Sequence, residues 1–270
     1  MYPTTDLYII AAGKGSRMAS NIPKALVPIT NEPCLTTTLK QIGGKFHNVF
    51  IVTNNLIQDQ WKDYFLDLKK NYPELADNVR NVPIASGLGD GHAVMQAIEG
   101  TSDRRFFAND DIVIAWGDVF FPHAEIIDEL VTKFREGNGF IPAVRENNPY
   151  VSLLVDDQMR CTSADFSKYG ENHPTGFHDQ SVFRFDRREL SAALSMLHNA
   201  YWKGGRYITP GGELSLLYTF HLMYNTNKHS AARVYETDYP TLSFNTPEEV
   251  AAIQHEINTK WQTKFRNQNS

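Results

Sequence analysis

The chain has 270 residues, of which 41% are hydrophobic and 21% are charged. This length and composition suit one large α/β domain with a sizeable core. The formal net charge of −5 argues against an extended nucleic-acid-binding surface, although a local basic pocket is compatible with it.

Nothing in the sequence indicates export or a membrane span. No segment approaches the roughly 18 consecutive apolar residues that a transmembrane helix needs, and Asp6 comes too early for the apolar core of a signal peptide. The two cysteines, Cys34 and Cys161, are far apart and show no metal-ligand spacing, which favours a reducing compartment. We therefore expect a soluble, cytoplasmic protein with no membrane and no nucleic acid among its partners.

Strand and helix patterns alternate through the first half of the chain. Five short apolar runs are typical of buried strands: 7–11, 49–53, 79–84, 112–116 and 139–144. Four segments between them indicate helices: 35–42, 57–71, 92–99 and about 123–135. This alternation predicts the α/β class, with a mixed, mostly parallel central sheet flanked by helices in a Rossmann-like arrangement.

The second half is less regular. Residues 150–155 and 180–185 are predicted as strands, some of them antiparallel, and residues 187–199 as a helix. Residues 203–210 carry turn signals, and late strands are predicted at 233–236 and 241–244. Thr246 as N-cap, Pro247 at the first position and Glu249 in a capping box then predict a helix that runs to about residue 264.

The loop after the first strand is the most informative motif. Residues 11–18 read AAGKGSRM, and residues 23–26 read PKAL. Gly13 and Gly15 remove side-chain bulk, so that backbone N–H groups can approach an anion. Arg17 adds a forked cation, and Lys24, held by Pro23, adds a point charge. The combination predicts a phosphate-binding loop, although glycine spacing alone is equally compatible with a plain turn.

Two common phosphate-binding loops do not fit this segment. The Walker pattern ends in Lys-Ser or Lys-Thr, and neither pair occurs in the chain. The dinucleotide-binding fingerprint needs a glycine three residues after Gly15, where this chain has Met18.

Two later residues are candidates for a divalent cation that would neutralise phosphate charge. Asp118 follows a predicted central strand at its carboxyl end, where open α/β sheets bind ligands. Asn245 ends another predicted strand, and its amide oxygen could complete a site with the Asp118 carboxylate. The acidic segment 109–111 precedes its strand, so we interpret it as a solvated turn at the opposite edge of the sheet.

Together these motifs resemble the sugar-nucleotide pyrophosphorylases, or nucleotidylyltransferases. The family pattern LAAGxGxRM, followed by PKxL, appears as IAAGKGSRM and PKAL. The GDGHA segment at 89–93 resembles the GTGHA nucleobase loop of the N-acetylglucosamine-1-phosphate uridylyltransferases. WGDV at 116–119 is similar to their metal-binding strand, and FNTPE at 244–248 to their late VNTPE segment. The resemblance runs in order from about residue 7 to 255.

The resemblance implies a sheet of the nucleotide-diphospho-sugar transferase type and transfer of a nucleoside monophosphate from an NTP to a phosphorylated acceptor. It implies that Arg17 and Lys24 are catalytic, and that Asp118 and Asn245 hold Mg²⁺ as cofactor. The residues implied to bind the nucleotide are Ala11, Ala12, Gly13, Gly15, Ser16, Gly89, Asp90 and Gly91. We expect a single domain over 1–270, with a nucleotide-binding half at 1–145, an acceptor-binding half at 146–245 and a C-terminal helix at 246–270.

Departures from the family pattern concern the substrates. The glutamine that normally reads uracil is missing from residues 83–86, and Asp90 replaces the loop threonine. A carboxylate accepts a hydrogen bond from the amine of cytosine or from guanine, so CTP is favoured over UTP. The family's NTG segment appears as PTG with Gly176, and its GExxLT segment is only partly matched around Glu213. These two residues are the acceptor-binding candidates, and the acceptor is left open between a sugar 1-phosphate and a small phospho-alcohol such as phosphocholine.

Two other functions remain as alternatives. A glycosyltransferase of similar fold would use a D-x-D motif, and the residue two positions after Asp118 is Phe120. A nucleotide-binding regulatory subunit would have lost activity, which the intact Arg17 and Lys24 argue against. The sequence leaves open whether the chain forms a homo-oligomer.

Overall fold

The architecture is taken from a computed structural model of the chain. It describes residues 2–13, 18, 22–85, 88–102, 108–132 and 139–261. Three predicted site residues, Gly15, Ser16 and Arg17, lie outside the described residues.

Four parallel strands form the first half of the sheet, in the order β3-β2-β1-β4. These strands are β1 (Thr5–Ile10), β2 (Val49–Asn54), β3 (Val79–Ile84) and β4 (Asp111–Trp116). Every residue of β1 and β2 is buried, as expected for parallel strands that are covered on both faces. The helices that connect them are α1 (Cys34–Ile42), α2 (Gln58–Asn71), α3 (Pro73–Ala76) and α4 (Asp90–Gly100).

The sheet continues from β4 with strands that are mostly antiparallel. Their order is β4-β10-β6-β9-β7-β8, and β13 pairs in parallel with residues 140–143 of β6. The strands are β6 (Gly139–Asn147), β7 (Val151–Val155), β8 (Cys161–Phe166), β9 (Thr175–Asp179), β10 (Val182–Asp186) and β13 (Arg233–Glu236). The remaining helices of this part are α5 (Glu125–Thr132), α6 (Arg187–Tyr201) and α7 (Tyr218–Thr226).

Alternating side chains of β1 face two cores, because successive residues of a strand point to opposite faces. Tyr8 and Ile10 belong to the core that α4, α6 and α7 cover. Leu7 and Ile9 belong to the core that α1, α2 and α5 cover. The result is a three-layer α/β/α fold, so the predicted fold class is confirmed. No helix among the described residues has the length and apolar character needed to cross a bilayer.

The C-terminal part adds a short two-stranded sheet and a helix. The strand β5 (Val119–Phe120) pairs antiparallel with β14 (Leu242–Ser243). Helix α8 (Pro247–Glu256) begins with the predicted capping box and continues as a π-helical turn over Ile257–Trp261. Its predicted extension to residue 264 lies outside the described part of the chain.

Several elements differ from the sequence prediction. The strands β8 and β9 and helix α7 were not predicted, because their polar and apolar residues follow neither period clearly. The segment predicted as turns contains a small hairpin, β11 (Trp202–Lys203) with β12 (Arg206–Tyr207). Its two central glycines, Gly204 and Gly205, both have positive φ, which explains the turn signal.

Candidate active site

Lys24 lies at the start of a tight turn that directly follows Pro23. Pro23 has φ −52° and is followed by a 3₁₀ turn over Lys24–Leu26, closed by the Val27 N–H donating to the Lys24 carbonyl at 3.1 Å. Ala25 is buried beneath this turn. The lysine side chain is only 14% exposed, so its ammonium is directed into the protein surface and away from bulk solvent.

Asp118 is held next to that turn by Gly117. The Gly117 N–H donates to the Ile10 carbonyl at 2.9 Å, which fastens the end of β4 to the end of β1. A Cβ at Gly117 would lie 3.0 Å from Ala11 Cβ and 3.2 Å from Ala25 Cβ. Even a methyl group would be crowded there, so glycine favours the close approach of Asp118 and the Lys24 turn.

Asn245 also lies beside Lys24, but the pairing of its segment differs from the one predicted. Its segment does not end a strand of the central sheet; β14 pairs with β5 directly after Asp118, with Ser243 opposite Val119. The buried Phe244 anchors the chain, and the Glu249 carboxylate accepts hydrogen bonds from the backbone N–H groups of Asn245 and Thr246. The capping box of α8 thus fixes the backbone that carries the Asn245 amide.

The side chains of Asp118 and Asn245 both contact the ammonium nitrogen of Lys24. The Lys24 Nζ donates to Asp118 Oδ2 in a short ion pair and to Asn245 Oδ1 at 3.1 Å. The same ammonium lies 5.3 Å from the centre of the Phe244 ring. Beneath the site, the pKa of the buried Cys34 thiol is raised by loss of solvent and by the Asp118 carboxylate, so this thiol stays protonated.

The acidic segment 109–111 lies at the opposite edge of the sheet, at the start of β4. Asn109 donates from its backbone and side chain to the buried Asp6, at 2.6 and 2.8 Å. Arg184 pairs with Asp111 at 2.7 Å, and Arg188 pairs with Asp110 at 2.8 Å. These residues close the base of the sheet with structural hydrogen bonds and are remote from Asp118 along β4.

The described part of the predicted phosphate loop extends from the end of β1. Ala11 and Ala12 are buried, and Ala11 N–H donates to the Val52 carbonyl at 2.9 Å. Gly13 is exposed, and a Cβ there would meet no atom of the described residues within 4 Å, its chain neighbours apart. Arg17 and the second glycine of the loop lie outside the described residues.

The two glycines of the predicted nucleobase loop pack closely against another part of the chain. Leu214 N–H donates to the Leu88 carbonyl at 2.8 Å, and Gly91 N–H donates to the Leu214 carbonyl at 2.9 Å. A Cβ at Gly89 would overlap the Leu214 backbone, and one at Gly91 would lie 2.7 Å from Leu216 N. One face of each glycine is therefore occupied by the segment 214–216, and contact with a base stays a prediction.

Asp90 joins the same two segments. Its Oδ1 accepts a hydrogen bond from Leu216 N–H at 2.6 Å. The side chain keeps an exposed surface toward a recess, while protein encloses it on its other sides. Loss of solvent raises the pKa of its carboxyl, and hydrogen bonds from Leu216, Ser215 and Gly91 oppose this shift. We expected this carboxylate to face the base. In the structure, its Oδ1 is instead bound by the protein's own backbone.

The recess has a volume of about 310 Å³ and extends from the two metal-ligand candidates to residues of the predicted acceptor-binding half. Asp118 and Asn245 line one part of it, and Glu213 lines another. Gly176 packs against Ser152, and on its strand His178 and Asp179 line the recess instead.

Gln180 and Asp179 were missed by the sequence analysis. The buried Gln180 accepts a hydrogen bond from Thr241 N–H at 2.8 Å through Oε1, which holds the segment leading to Asn245. Asp179 is 6% exposed, and its Oδ1 accepts from Ser181 N–H at 2.9 Å. The sequence signal available was a pair of polar residues between two apolar runs, which is common in ordinary turns.

Asp118 and Asn245 fit a magnesium ion by their chemistry. Carboxylate and amide oxygens are typical Mg²⁺ ligands, and here both contact a single positive group, the Lys24 ammonium. Among the described residues, no group of three or more His, Cys, Asp or Glu side chains could hold a metal ion. A magnesium ion would therefore need phosphate oxygens and water in addition to these two side chains.

Structural comparison supports the fold assignment. HddC from Yersinia pseudotuberculosis, solved in complex with GMP-PN, superposes with a TM-score of 0.62 over 93% of this chain and 99% of that chain. The sequence identity is 16%, so the likeness concerns the fold.

Sequence comparison identifies the family. The bifunctional protein GlmU of Caldicellulosiruptor saccharolyticus is 26% identical over 228 residues, which are 79% of this chain and 45% of that protein. GlmU of Ruthia magnifica subsp. Calyptogena magnifica is 31% identical over 156 residues, 56% of this chain and 30% of that protein. The chain thus spans less than half the length of these relatives. Residues 7–201 match the family model described as the MobA-like NTP transferase domain, and the chain belongs to that family.

Proposed function

We propose that the chain transfers a nucleoside monophosphate from an NTP to a phosphorylated small-molecule acceptor and releases pyrophosphate. The observation that carries this proposal is the convergence of Lys24, Asp118 and Asn245 at the edge of one recess. The oxygens of Asp118 and Asn245 could hold a metal ion, and the Lys24 ammonium lies beside them. Such a group of side chains suits a reaction in which negative charge accumulates on phosphate.

The chemistry needs no covalent intermediate. A phosphate oxygen of the acceptor attacks the α-phosphorus of the NTP, the new P–O bond forms in line, and the bond to the β-phosphate oxygen breaks as pyrophosphate leaves. An ionised acceptor phosphate needs no general base, so positioning and electrostatic stabilisation account for catalysis.

Lys24 would contact the α-phosphate or the acceptor phosphate, where its fixed charge stabilises the transition state. Asp118 and Asn245 would hold Mg²⁺, which when bound neutralises phosphate charge. The lysine ammonium contacts both of these oxygens. We infer that it exchanges them for phosphate oxygens when substrate and metal bind. Arg17 would hold the β- and γ-phosphates.

For the nucleotide we propose CTP or UTP, with the acceptor a sugar 1-phosphate or another small phosphomonoester. Asp90 lines the recess and keeps an exposed surface there, so a base could contact its carboxyl in addition to Leu216. We place the reaction in the cytoplasm, where NTPs are abundant and the two buried cysteines remain reduced.

A pyrophosphate-release assay tests the proposal. Purified protein is incubated with each of the four NTPs, a panel of phosphorylated acceptors, and either Mg²⁺ or excess EDTA. We expect acceptor-dependent release with CTP or UTP in Mg²⁺ and none in EDTA. Absence of release with every NTP and acceptor would instead favour a nucleotide-binding regulatory subunit.

A further inference from the structure

The acceptor side of the recess is both aromatic and acidic. Its aromatic wall is formed by Phe166, which ends β8, Tyr169 in the following turn, and Tyr218 at the start of α7. The Phe166 ring centre lies 5.7 Å from that of Tyr169 and 5.9 Å from that of Tyr218. Three rings from two distant segments therefore form one continuous surface.

An ammonium group already lies on this surface. Lys168 Nζ is 4.9 Å from the Tyr169 ring centre and 5.4 Å from the Phe166 ring centre. Both distances are within the range of cation–π attraction. The Lys168 side chain is exposed, so another cation can replace it on the rings without unfolding the wall.

Among the described residues that line the recess, acidic side chains outnumber lysines and arginines. Asp90 and Glu213 line the recess on this side, and Asp179 lines its buried floor. Loss of solvent raises the pKa of both aspartates; nearby Lys168 lowers that of Asp90, and His178 lowers that of Asp179. His178 is also paired with Glu146 at 2.7 Å. A ligand cation would reduce the cost of holding these carboxylates in the ionised form.

We infer that the recess binds an acceptor with a phosphate at one end and a positively charged nitrogen at the other. This inference rests on the proposed function and names the substrate class. The phosphate would lie beside Lys24, and the ammonium or quaternary ammonium group would lie on Phe166 and Tyr169, opposite Asp90 and Glu213. Amino-sugar phosphates and phospho-amino alcohols share this chemistry.

Binding of matched pairs, measured by calorimetry, tests the inference. Phosphocholine is compared with 3,3-dimethylbutyl phosphate, in which carbon replaces the charged nitrogen, and glucosamine 1-phosphate with glucose 1-phosphate. We expect the cationic member of at least one pair to bind at least about tenfold more tightly. The pair that discriminates tells the amino alcohol from the amino sugar. Equal affinity within both pairs, tighter binding of the neutral members, or no binding at all would overturn the inference.

Variants locate the effect in the recess. Glu213→Gln and Tyr169→Leu should each reduce the preference for the cationic ligand several-fold, whereas Tyr169→Phe keeps the ring and should retain it. Glu74→Gln, an exposed substitution on α3, is the control. Lys168→Met removes the competing ammonium and should leave cationic binding equal or tighter. If Lys168→Met instead weakens all phosphates alike, Lys168 binds an anion and the inference is wrong.

Measuring pyrophosphate release beside binding distinguishes a failure of this inference from a failure of the proposed function. Pyrophosphate release with neutral acceptors, and none with cationic ones, would support the transferase and overturn the cationic acceptor. Charge discrimination in the binding assay without any pyrophosphate release would support the ligand class and contradict the transferase.

Discussion

The Lys24 ammonium donates a hydrogen bond to the Asn245 amide oxygen at 3.1 Å, across 221 positions of sequence. This contact completes the candidate site, because it joins the segment that follows the first strand to the residues that precede the last helix. Asp118 completes the pair of oxygens around the ammonium. The arrangement makes specific predictions about Lys24, the Asn245 segment, Gly117 and the buried Asp179.

Replacing Lys24 should abolish most catalysis without unfolding the protein. Lys24→Ala removes the cation that would stabilise phosphate charge, and the loss of one such group typically lowers turnover at least about a hundredfold. The measurement is kcat for pyrophosphate release. Lys260→Ala, which removes an exposed pair with Glu256, is the control and should keep wild-type turnover. Near-wild-type turnover of Lys24→Ala would remove this lysine from the catalytic set.

The capping box should affect both stability and metal use. Glu249→Ala removes the carboxylate that holds the Asn245 and Thr246 N–H groups, so we expect the free energy of unfolding to fall by about 1 kcal/mol. The freed Asn245 should also raise the Mg²⁺ concentration needed for half-maximal turnover. Denaturant unfolding and a Mg²⁺ titration measure the two effects. Glu248 lies in the same first turn but takes no part in the capping box. Glu248→Ala should therefore change neither the free energy of unfolding nor the Mg²⁺ requirement. Equal effects of Glu248→Ala and Glu249→Ala would contradict the role of the capping box in holding Asn245.

Gly117 should not tolerate a side chain. Gly117→Ala places a Cβ 3.0 Å from Ala11 Cβ, and such overpacking costs about 1–3 kcal/mol. Because the movement would separate Asp118 from Lys24, turnover should fall as well. Gly13→Ala places a Cβ more than 4 Å from every described residue except its chain neighbours, so we expect the free energy of unfolding to stay unchanged. Equal stability of both variants would show that the close approach at Gly117 is unimportant.

Asp179 should make stability depend on pH. Its pKa is raised in the folded protein by loss of solvent, so the folded state favours the protonated carboxyl. Its contribution to stability is therefore greatest below the unfolded pKa of about 3.9 and is lost as the pH rises through the raised folded value. Compared with Asp179→Asn, the wild type should lose stability from pH 4 upward. Unfolding free energies of the two proteins over pH 4–7 test this, and a constant difference would contradict it.

Local patterns in the sequence predicted that Pro23 holds Lys24 and that a capped helix begins at TPEE, because these residues act within a few positions of each other. Residues 14–17 of the predicted phosphate loop lie outside the described residues, so the role of that loop stays a prediction. Asp118 was also predictable, because the carboxyl end of a central strand is a common place for ligands.

The remaining parts depend on contacts between distant segments. The β5–β14 pairing that brings Asn245 to Asp118 involves two residues on each side, too few to give a pattern. The packing of Gly89 and Gly91 on segment 214–216, and the meeting of Phe166 with Tyr218, come from tertiary structure alone. The aromatic wall of the recess could not be predicted, because the residues of β8 and α7 follow no clear hydrophobic period.

Transfer of label from an α-³²P-labelled NTP tests the central claim most directly. The protein is incubated with the labelled NTP, Mg²⁺ and an accepted phosphomonoester, and the products are separated. The account predicts one labelled nucleoside monophosphate joined to the acceptor for each unlabelled pyrophosphate released, with both lost in Lys24→Ala. Label recovered only as free nucleoside mono- or diphosphate, or an NTP left intact while a ready-made nucleotide sugar is consumed, would contradict it.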